Sequence, residues 1–285
     1  MEFYKLTPIQ QNVLAASILG DGEITKLYKG SRRKNNSYRE HYGTKQKEYR
    51  EWKQTFLPNL LYFTPRSCTL RSSSQLLFTE LYTHFYDSSG NKQIPQALMK
   101  FCHLPHFLAV LYMDDGTLCI TKRINHRKKS IYLTPSIMLA LQNFKQQQLE
   151  ILRQHIQDTF HFTFRFLAVK DGHKSALKFT SVKDTFAFLD YIATVTKNCP
   201  SMYYKTNWAW RLQKEKSQLE EAYPGYEIIA SCSERYKNYS TEEIEMLVQL
   251  KQQQRTINDI ALEMGRSYWS VTYKLRELRA IGLLK

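Results

Sequence analysis

The sequence predicts an α+β protein made of two pseudo-symmetric αββαββα halves and a small C-terminal domain of three helices. Two observations predict the halves. The segment LAASILGDG at residues 14–22 returns as LAVLYMDDG at residues 108–116, and similar strand-like and helical segments follow both copies. A third observation predicts the separate domain, because residues 240–285 carry only helical patterns.

The first half, residues 1–100, opens with a clearly marked helix. Thr7 suits the N-cap, Pro8 suits the first helical position, and Gly22 suits the left-handed residue that closes a helix. The elements predicted after it are a basic strand, a strand at 37–46, a helix near 47–61, strand-like sequence at 67–78 and a helix near 79–86.

The second half, residues 101–211, repeats this order. Pro105 precedes its apolar helix, and Gly116 follows the helix as Gly22 does in the first copy. The elements predicted after it are a basic strand, a strand at 131–141, a helix near 144–160, strand-like sequence at 162–179 and a helix near 182–195. We expect the two halves to form one domain by pairing their first helices.

The C-terminal region divides into a linker and a helical module. Residues 212–239 lose clear periodicity and contain the turn pair Pro224-Gly225, which predicts a linker. Residues 240–285 begin with a capping-box sequence at Ser240 and resemble Myb-like or helix-turn-helix units, with a recognition helix after Ser267. A protein-docking or dimerising bundle is the alternative interpretation.

Composition points to a polyanionic partner inside the cell. Lys plus Arg number 41 against 26 Asp plus Glu, which gives a net charge of +15 and attracts polyanions. A hydrophobic content of 42% excludes bulk disorder. The five cysteines have no zinc-type spacing and are expected to be reduced, mostly buried thiols of an intracellular protein. No apolar run is long enough to span a membrane.

The paired Asp-Gly motifs are the strongest candidates for chemistry. Asp21 and Asp115 occupy equivalent places at the ends of the two apolar helices. Packing those helices side by side would bring together two carboxylates, which repel each other and lie at the negative ends of the helix dipoles. A divalent cation such as Mg²⁺ would remove that cost. In the alternative interpretation, both aspartates are only helix caps.

At this point the residues resemble the LAGLIDADG homing endonucleases of the single-chain, two-motif type. The nine-residue motif matches residues 14–22 and 108–116, and its eighth position falls on Asp21 and Asp115. The segments 91–95 (NKQIP) and 202–205 (MYYK) match two lysine-bearing segments of that family. The resemblance implies that Lys92 and Lys205 assist beside the two acids, organising the attacking water or stabilising phosphate charge.

The resemblance also implies a mode of action. It implies saddle-shaped antiparallel sheets over double-stranded DNA, a monomer with two active sites, and a double-strand break with short 3′ overhangs. Asp21 and Asp115 would be metal ligands as well as catalytic residues. The cofactor would be Mg²⁺, with Mn²⁺ as a substitute and Ca²⁺ binding without cleavage, and no organic cofactor is expected.

Basic clusters after each motif are the candidate DNA contacts. Those of the first half are Lys26, Lys29, Arg32, Arg33, Lys34 and Arg39, and those of the second are Lys122, Arg123, Arg127, Lys128 and Lys129. The C-terminal candidates are Arg266, Ser267, Lys274 and Arg276. Residues 240–285 hold seven Lys or Arg against six Asp or Glu, so most of the positive charge belongs to the repeated halves.

The second motif departs from the small-residue pattern of the first. Where the first helix has Ala16 and Gly20, the second has Val110 and Asp114. Close helix packing is therefore less well encoded in the second copy, and Asp114 is expected to cap its helix or face solvent rather than bind metal.

Two rival functions share these features. The first is an intron-RNA maturase or a catalytically inactive DNA-binding regulator with the same fold, and the presence of both acids and both lysines argues against it. The second is a basic structural DNA-binding protein whose aspartates only cap helices. That protein would show no metal dependence.

Overall fold

The computed structural model of the chain describes residues 1–168, 175–179, 181–231 and 239–284. The elements of the first half are α1 Pro8–Leu19, β1 Glu23–Ile24, β2 Tyr38–His41, α2 Lys47–Thr55, β3 Tyr62–Thr64, β4 Thr69–Arg71, α3 Leu76–Phe85 and α4 Gln96–Met99. Its sheet is antiparallel, in the order β1-β2-β4-β3.

The second half repeats the architecture with longer strands. Its elements are α5 Pro105–Asp115, β5 Gly116–Asn125, β6 Ser130–Leu139, α6 Gln146–Phe160, β7 Arg165–Ala168, β8 Ser175–Lys178, α7 Val182–Thr196 and α8 Tyr203–Thr206. The path β5-β6-β8-β7 is antiparallel. The predicted α+β class and the duplicated halves are confirmed.

The two motif helices, α1 and α5, pack against each other in the core. Residues 11–19 of α1 and residues 107–114 of α5 are buried on all sides, which suits helices that are apolar around their whole circumference. The predicted start of α1 is confirmed, because the Thr7 hydroxyl accepts from the Gln10 backbone and the Gln10 side chain accepts from the Thr7 backbone.

The glycines after the motif acids serve close packing rather than a left-handed turn, which corrects the prediction. Neither Gly22 nor Gly116 has a positive φ. A Cβ at Gly22 would overlap the Tyr38 ring, and a Cβ at Gly116 would overlap the Tyr112 ring. The absence of a side chain lets an aromatic ring lie against the backbone directly after each motif helix.

Gly20 lies in close contact with Asp114 of the other motif helix. A Cβ at this position would lie 2.6 Å from the Asp114 Cβ. We expect Gly20→Ala to lower the free energy of unfolding by about 1–3 kcal/mol, measured by chemical denaturation, because the helices would have to separate. Gly43→Ala is the control, since a Cβ there meets no atom within 4 Å. A Gly20 variant as stable as the Gly43 variant would contradict this packing.

The region predicted as a linker, residues 212–239, is partly structured. α9 spans Trp208–Ala222, and β9, Glu227–Ala230, adds to β6 as a parallel strand. Both pack on an apolar cluster centred on Ile131, Leu133 and Leu219. The helix has few apolar residues, so its periodicity is weak, and it is held by this contact instead. The first compact unit therefore ends at Ser231 rather than at residue 211.

The second compact unit, residues 232–285, contains the three predicted helices. They are α10 Thr241–Gln252, α11 Ile257–Glu263 and α12 Tyr268–Ala280. Side chains of Ser240, Thr256 and Ser267 cap their first turns. A small core of Leu247, Ile260, Val271 and other apolar residues joins them.

Other sequence predictions differ in detail. The strand expected at 67–78 ends at Arg71, and α3 begins at Leu76. Cys102 and Cys199 are buried and Cys68 is exposed, and these three and Cys119 are free thiols, while Cys232 lies outside the described residues. Among the described residues, no helix is long and apolar enough to cross a membrane.

Candidate active site

The two predicted lysines occupy matching positions at the ends of the motif helices. Lys92 Nζ donates to the backbone oxygens of Gly20 and Gly22 at 2.7 and 2.8 Å. Lys205 Nζ donates to those of Met113 and Asp114 at 2.7 and 3.2 Å. These contacts satisfy carbonyl groups that a helix end leaves unpaired. Burial lowers the pKa of both ammonium groups.

Asp21 lies just beyond the end of α1 and is oriented by an arginine. Its side chain is 33% exposed, whereas that of Arg50, on α2, is 1% exposed. Arg50 Nη2 donates to Asp21 Oδ2 at 2.6 Å, and the backbone N–H of Asp21 lies 3.4 Å from Asp114 Oδ2. The Asp21 carboxylate is thus held by a buried arginine and remains partly exposed to solvent.

Asp115 lies in a different electrostatic environment. Burial and the nearby charges of Asp114 and Asp21 raise its pKa from 3.8 to about 7, against the opposing effect of Lys92 and Lys205. Within the described part of the chain, Asp115 forms no ion pair with a side chain. A carboxyl group that is partly buried beside like charges is costly to ionise, and a cation would offset that cost.

Asp21 and Asp115 line one cleft of about 370 Å³, together with Lys92. This is the juxtaposition predicted from the duplicated motifs. The other residues that line the cleft are Gly20, Glu23, Arg39, His41, Gln46, Arg50 and Asn143. Lys205 is not among them, and its ammonium group is anchored at the end of α5.

Sequence reasoning missed Arg50, Gln46, His41 and Asn143. Arg50 belongs to the helix predicted near 47–61, where no role was assigned to it, and its side chain is buried as are those of Tyr49 and Trp52. The aromatic neighbours were the available clue, because they show which side of α2 faces inward. The other three come from loops and a strand end, where no pattern distinguishes them from surface residues.

A buried cluster of four charges lies beneath Asp21. Lys53 Nζ contacts Glu40 Oε1 at 2.7 Å and Asp114 Oδ1 at 2.9 Å, and Arg50 contacts the same two carboxylates at 2.8 and 3.5 Å. The four side chains are at most 1% exposed. Two cations therefore balance two anions, which is the condition for retaining buried charge.

Asp114 corrects a prediction, because it neither caps its helix nor faces solvent. Its carboxylate also accepts from the Tyr49 hydroxyl at 2.6 Å. Burial opposes its ionisation, but Lys53 and Arg50 hold its pKa below the usual value. Burial raises the pKa of Glu40 despite the same cations. Oxygens of Asp21, Glu40 and Asp114 approach within 4.8 Å, but the latter two already bind Lys53 and Arg50.

The basic residues of the first half follow the predicted cluster only in part. Arg33 donates to Thr25 and Ser37, and Arg39 forms an ion pair with Glu23. Arg39 is exposed despite this ion pair, and the other exposed members of the cluster are Lys26, Lys29, Arg32 and Lys34. A cavity of about 680 Å³ over this sheet is lined by Lys26, Arg33 and Arg39 among other residues.

The basic residues of the second half divide between two faces of β5. Lys122 binds Glu215 of α9 at 2.7 Å. It shares its face with Ile120 and Ile124, which pack under α9, so Arg123 points to the opposite face. The turn between β5 and β6 carries the exposed residues Arg127, Lys128 and Lys129.

Several C-terminal candidates have internal partners. Arg266 binds Glu243 through two nitrogens and lies over the Tyr239 ring. Ser267 caps α12, and Lys274 binds Glu277. Arg276 is exposed and lies over the Tyr273 ring.

Curated proteins similar to the chain include Protein RecA of Mycobacterium shimoidei, 26% identical over 212 residues, and Protein RecA of Mycobacterium leprae (strain TN), 28% identical over 215 residues. Each alignment covers 72% of this chain but 48% and 29%, respectively, of those proteins. The chain therefore spans about half or less of the length of these curated relatives.

Solved structures share the fold of the repeated halves. One is the homing endonuclease I-WcaI bound to its DNA recognition sequence, at 23% identity and a TM-score of 0.52, covering 72% of this chain and 90% of that one. Another is I-SmaMI bound to uncleaved DNA with calcium ions, at 11% identity and a TM-score of 0.50, covering 75% and 93%.

A family model agrees with the motifs, the paired helices and the shared fold. It is described as the LAGLIDADG DNA endonuclease family and matches residues 11–186, more than half of the chain. Both motif acids lie within that match. The chain belongs to the LAGLIDADG DNA endonuclease family.

Proposed function

We propose that the chain is a site-specific, double-strand DNA endonuclease of homing type that depends on a divalent cation, Mg²⁺. The observation that carries the proposal is that Asp21 and Asp115, from the two copies of one motif, line a single cleft with Lys92. Because both motifs lie on one chain, the enzyme acts as a monomer and brings one active site to each strand.

The acids of the cleft fit a hard divalent cation. Asp115 has a raised pKa and no ion-pair partner in the described ranges, and Asp21 is exposed beside it. Carboxylate oxygens are the ligands that Mg²⁺ prefers, so Asp21 and Asp115 would hold it. A bound cation of this kind activates water and stabilises negative charge on a phosphodiester. Mn²⁺ would substitute, and Ca²⁺ would bind without supporting cleavage.

The protein's own residues position the reacting groups. Lys92 and Lys205 are anchored to backbone oxygens of the motif helices, so their ammonium groups stay fixed near the acids. Each is thereby placed to stabilise charge on a phosphate or to orient water, and burial lowers the cost of giving up a proton. Fixed geometry of this kind contributes to rate because no reorganisation is needed during the reaction.

DNA binding would use the exposed basic residues of both sheets. The relatives I-WcaI and I-SmaMI are described as bound to DNA, the latter with calcium ions. The chain carries +15, and its exposed residues include Lys26, Lys29, Arg123 and Lys128. Such residues bind phosphates and guanine edges. Arg276 of α12 would extend the footprint through the C-terminal unit.

Arg123 and Lys122 provide a matched pair for testing this surface. We expect Arg123→Ala to weaken duplex binding by about 1–3 kcal/mol. Lys122→Ala should change it by less than about 0.5 kcal/mol, because that ammonium is held by Glu215 on the other face. Fluorescence anisotropy in Ca²⁺ at two salt concentrations measures both. Equal effects of the two variants would contradict the assignment of DNA contact to the face of Arg123 rather than that of Lys122.

The proposed activity itself is tested by selection for cleavage on a randomised duplex library, with Mg²⁺ in one arm and Ca²⁺ in the other. We expect Mg²⁺ to yield one family of long, nearly asymmetric sites cut on both strands with 3′ overhangs, and Ca²⁺ to yield binding only. Tight binding to structured RNA without DNA cleavage would favour the maturase interpretation. Cleavage that persists with the metal chelated would contradict the proposal.

A further inference from the structure

The two halves can be matched position by position through their strand registers. Ile24 pairs with Tyr38 in the first sheet, and Leu118, the equivalent residue after the second motif, pairs with Ile137. Tyr38 and Ile137 are 99 positions apart, and so are Lys47 and Gln146, the first residues of α2 and α6. The correspondence therefore holds from the second strand of each half into the helix that follows it.

This correspondence shows that the buried charge cluster exists in one half only. By the common offset, Glu40 corresponds to Leu139, Arg50 to Leu149 and Lys53 to Leu152. All three leucines are buried, at 1% exposure or less. The fourth charge, Asp114, occupies the position that Gly20 holds in the first motif. In the second half, buried leucines therefore occupy the positions that carry the ion-paired residues in the first half.

The cluster links the second half to the acid of the first half. Asp114 extends from α5 past Gly20 and binds Lys53, which also binds Glu40. Those two carboxylates surround the Arg50 guanidinium, whose Nη2 remains directed at Asp21. Without their balance, a fully buried guanidinium would be too costly to keep. Asp115 has no equivalent guanidinium, because Leu149 takes its place.

We propose that Lys53, Glu40 and Asp114 are positioning residues for the Asp21 site alone, and that the duplex is consequently cut in two unequal steps, with the strand served by Asp21 cut first. This inference rests on the proposed endonuclease function. Each step is a hydrolysis, in which a water oxygen bonds to phosphorus, the bridging P–O bond breaks, and the leaving oxygen takes a proton.

The order of the two steps follows from preorganisation. Asp21 has one oxygen held by a guanidinium that is itself buried and ion-paired, so its other oxygen keeps a defined direction. The Asp115 carboxylate has no such side-chain partner in the described ranges, so no comparable ion pair sets its orientation. Small displacements of a reacting group cost large factors in rate, so the fixed acid works faster.

The test uses the full chain and a duplex labelled with a different fluorophore on each strand. Asp21→Asn identifies the strand served by Asp21, because it changes that acid and leaves Asp115 in place. The test variant is the double change Glu40→Gln with Lys53→Met, which keeps Arg50 balanced by Asp114. Leu152→Met, at the position equivalent to Lys53 in the other half, is the matched control.

We expect the wild-type chain to accumulate a nicked intermediate, cut on the strand that Asp21→Asn slows more. The double variant should slow that strand by roughly tenfold or more relative to the other, so that the order of cutting is lost or reversed. Leu152→Met should leave the ratio of the two rates unchanged. A general loss of stability would slow both strands alike, so the ratio separates positioning from folding.

Two results would overturn the inference while leaving the endonuclease function intact. One is equal rates on both strands in the wild-type chain. The other is an unchanged strand ratio in a folded double variant. A wild-type chain that cuts neither strand would instead remove the proposed function itself.

Discussion

Replacing Asp115 by asparagine is expected to abolish double-strand cleavage while stabilising the metal-free protein. Loss of a metal-binding carboxylate removes several kcal/mol of transition-state stabilisation, which corresponds to a rate loss of roughly 10³-fold. DNA binding in Ca²⁺ should change much less, because the basic residues of both sheets are untouched. A gel assay of plasmid cleavage and an anisotropy titration measure the two effects.

The stabilisation follows from the raised pKa of Asp115. The folded protein binds this proton up to about pH 7, whereas the unfolded chain releases it near the usual value of 3.8. Stability contributed by this residue therefore falls as the pH rises from about 4 to about 7 and stays low above that range. We expect Asp115→Asn to raise the free energy of unfolding by about 1–2 kcal/mol at pH 8, less than the full shift because some solvent contact remains. Below about pH 4 the gain should vanish.

Asp190→Asn is the control for both effects, because Asp190 is an exposed acid on α7. That variant should cut DNA and unfold like the wild-type chain. Full cutting by Asp115→Asn would remove the acid from the mechanism. Destabilisation of the metal-free variant at pH 8 would contradict the electrostatic description of the cleft.

Lys53→Met is expected to cause the largest loss of stability of any single change considered. It leaves the buried carboxylates of Glu40 and Asp114 to share one described cation, Arg50. Removing one partner from a buried ion-pair network costs about 3–5 kcal/mol, since the remaining charge is both desolvated and unpaired. Guanidinium unfolding of the variant at pH 7 measures the loss.

Neutralising Glu40, which loses its lysine partner in Lys53→Met, should restore much of that stability. The double change Glu40→Gln with Lys53→Met leaves one cation facing Asp114, so we expect it to be more stable than Lys53→Met alone. Leu152→Met should lie within about 1.5 kcal/mol of wild type, because it exchanges side chains of similar volume. If Lys53→Met were as stable as Leu152→Met, the four residues of the cluster would not form a balanced set of buried charges.

The sequence was sufficient where local chemistry determines structure. The duplicated motif predicted the helix pair, Thr7 and Ser240 predicted helix starts through their capping side chains, and Asp21 and Asp115 were expected at one site. Each of these features is written within a few neighbouring residues or in an internal repeat. The burial of a charged side chain, and the identity of its ion-pair partner from a distant segment, are not encoded in that way.

The rest of the site depends on contacts between distant segments. Arg50 and Lys53 have the sequence pattern of a solvated helix, and only the arrival of Glu40 and Asp114 from elsewhere in the chain makes their burial favourable. Lys122 belongs to a basic cluster in the sequence. The alternation of side chains along β5 and the contact with α9 determine which face of the sheet it occupies. Most of α9 falls in the predicted linker, because its few apolar residues show no clear periodicity. The helix is stabilised by packing against β6.

A crystal structure of the chain with its selected duplex in Mn²⁺ would locate the bound metal through its anomalous scattering. We expect anomalous peaks in contact with the carboxylates of both Asp21 and Asp115, with a scissile phosphate on each strand beside them. Peaks at neither carboxylate, in crystals whose DNA becomes cut, would contradict it.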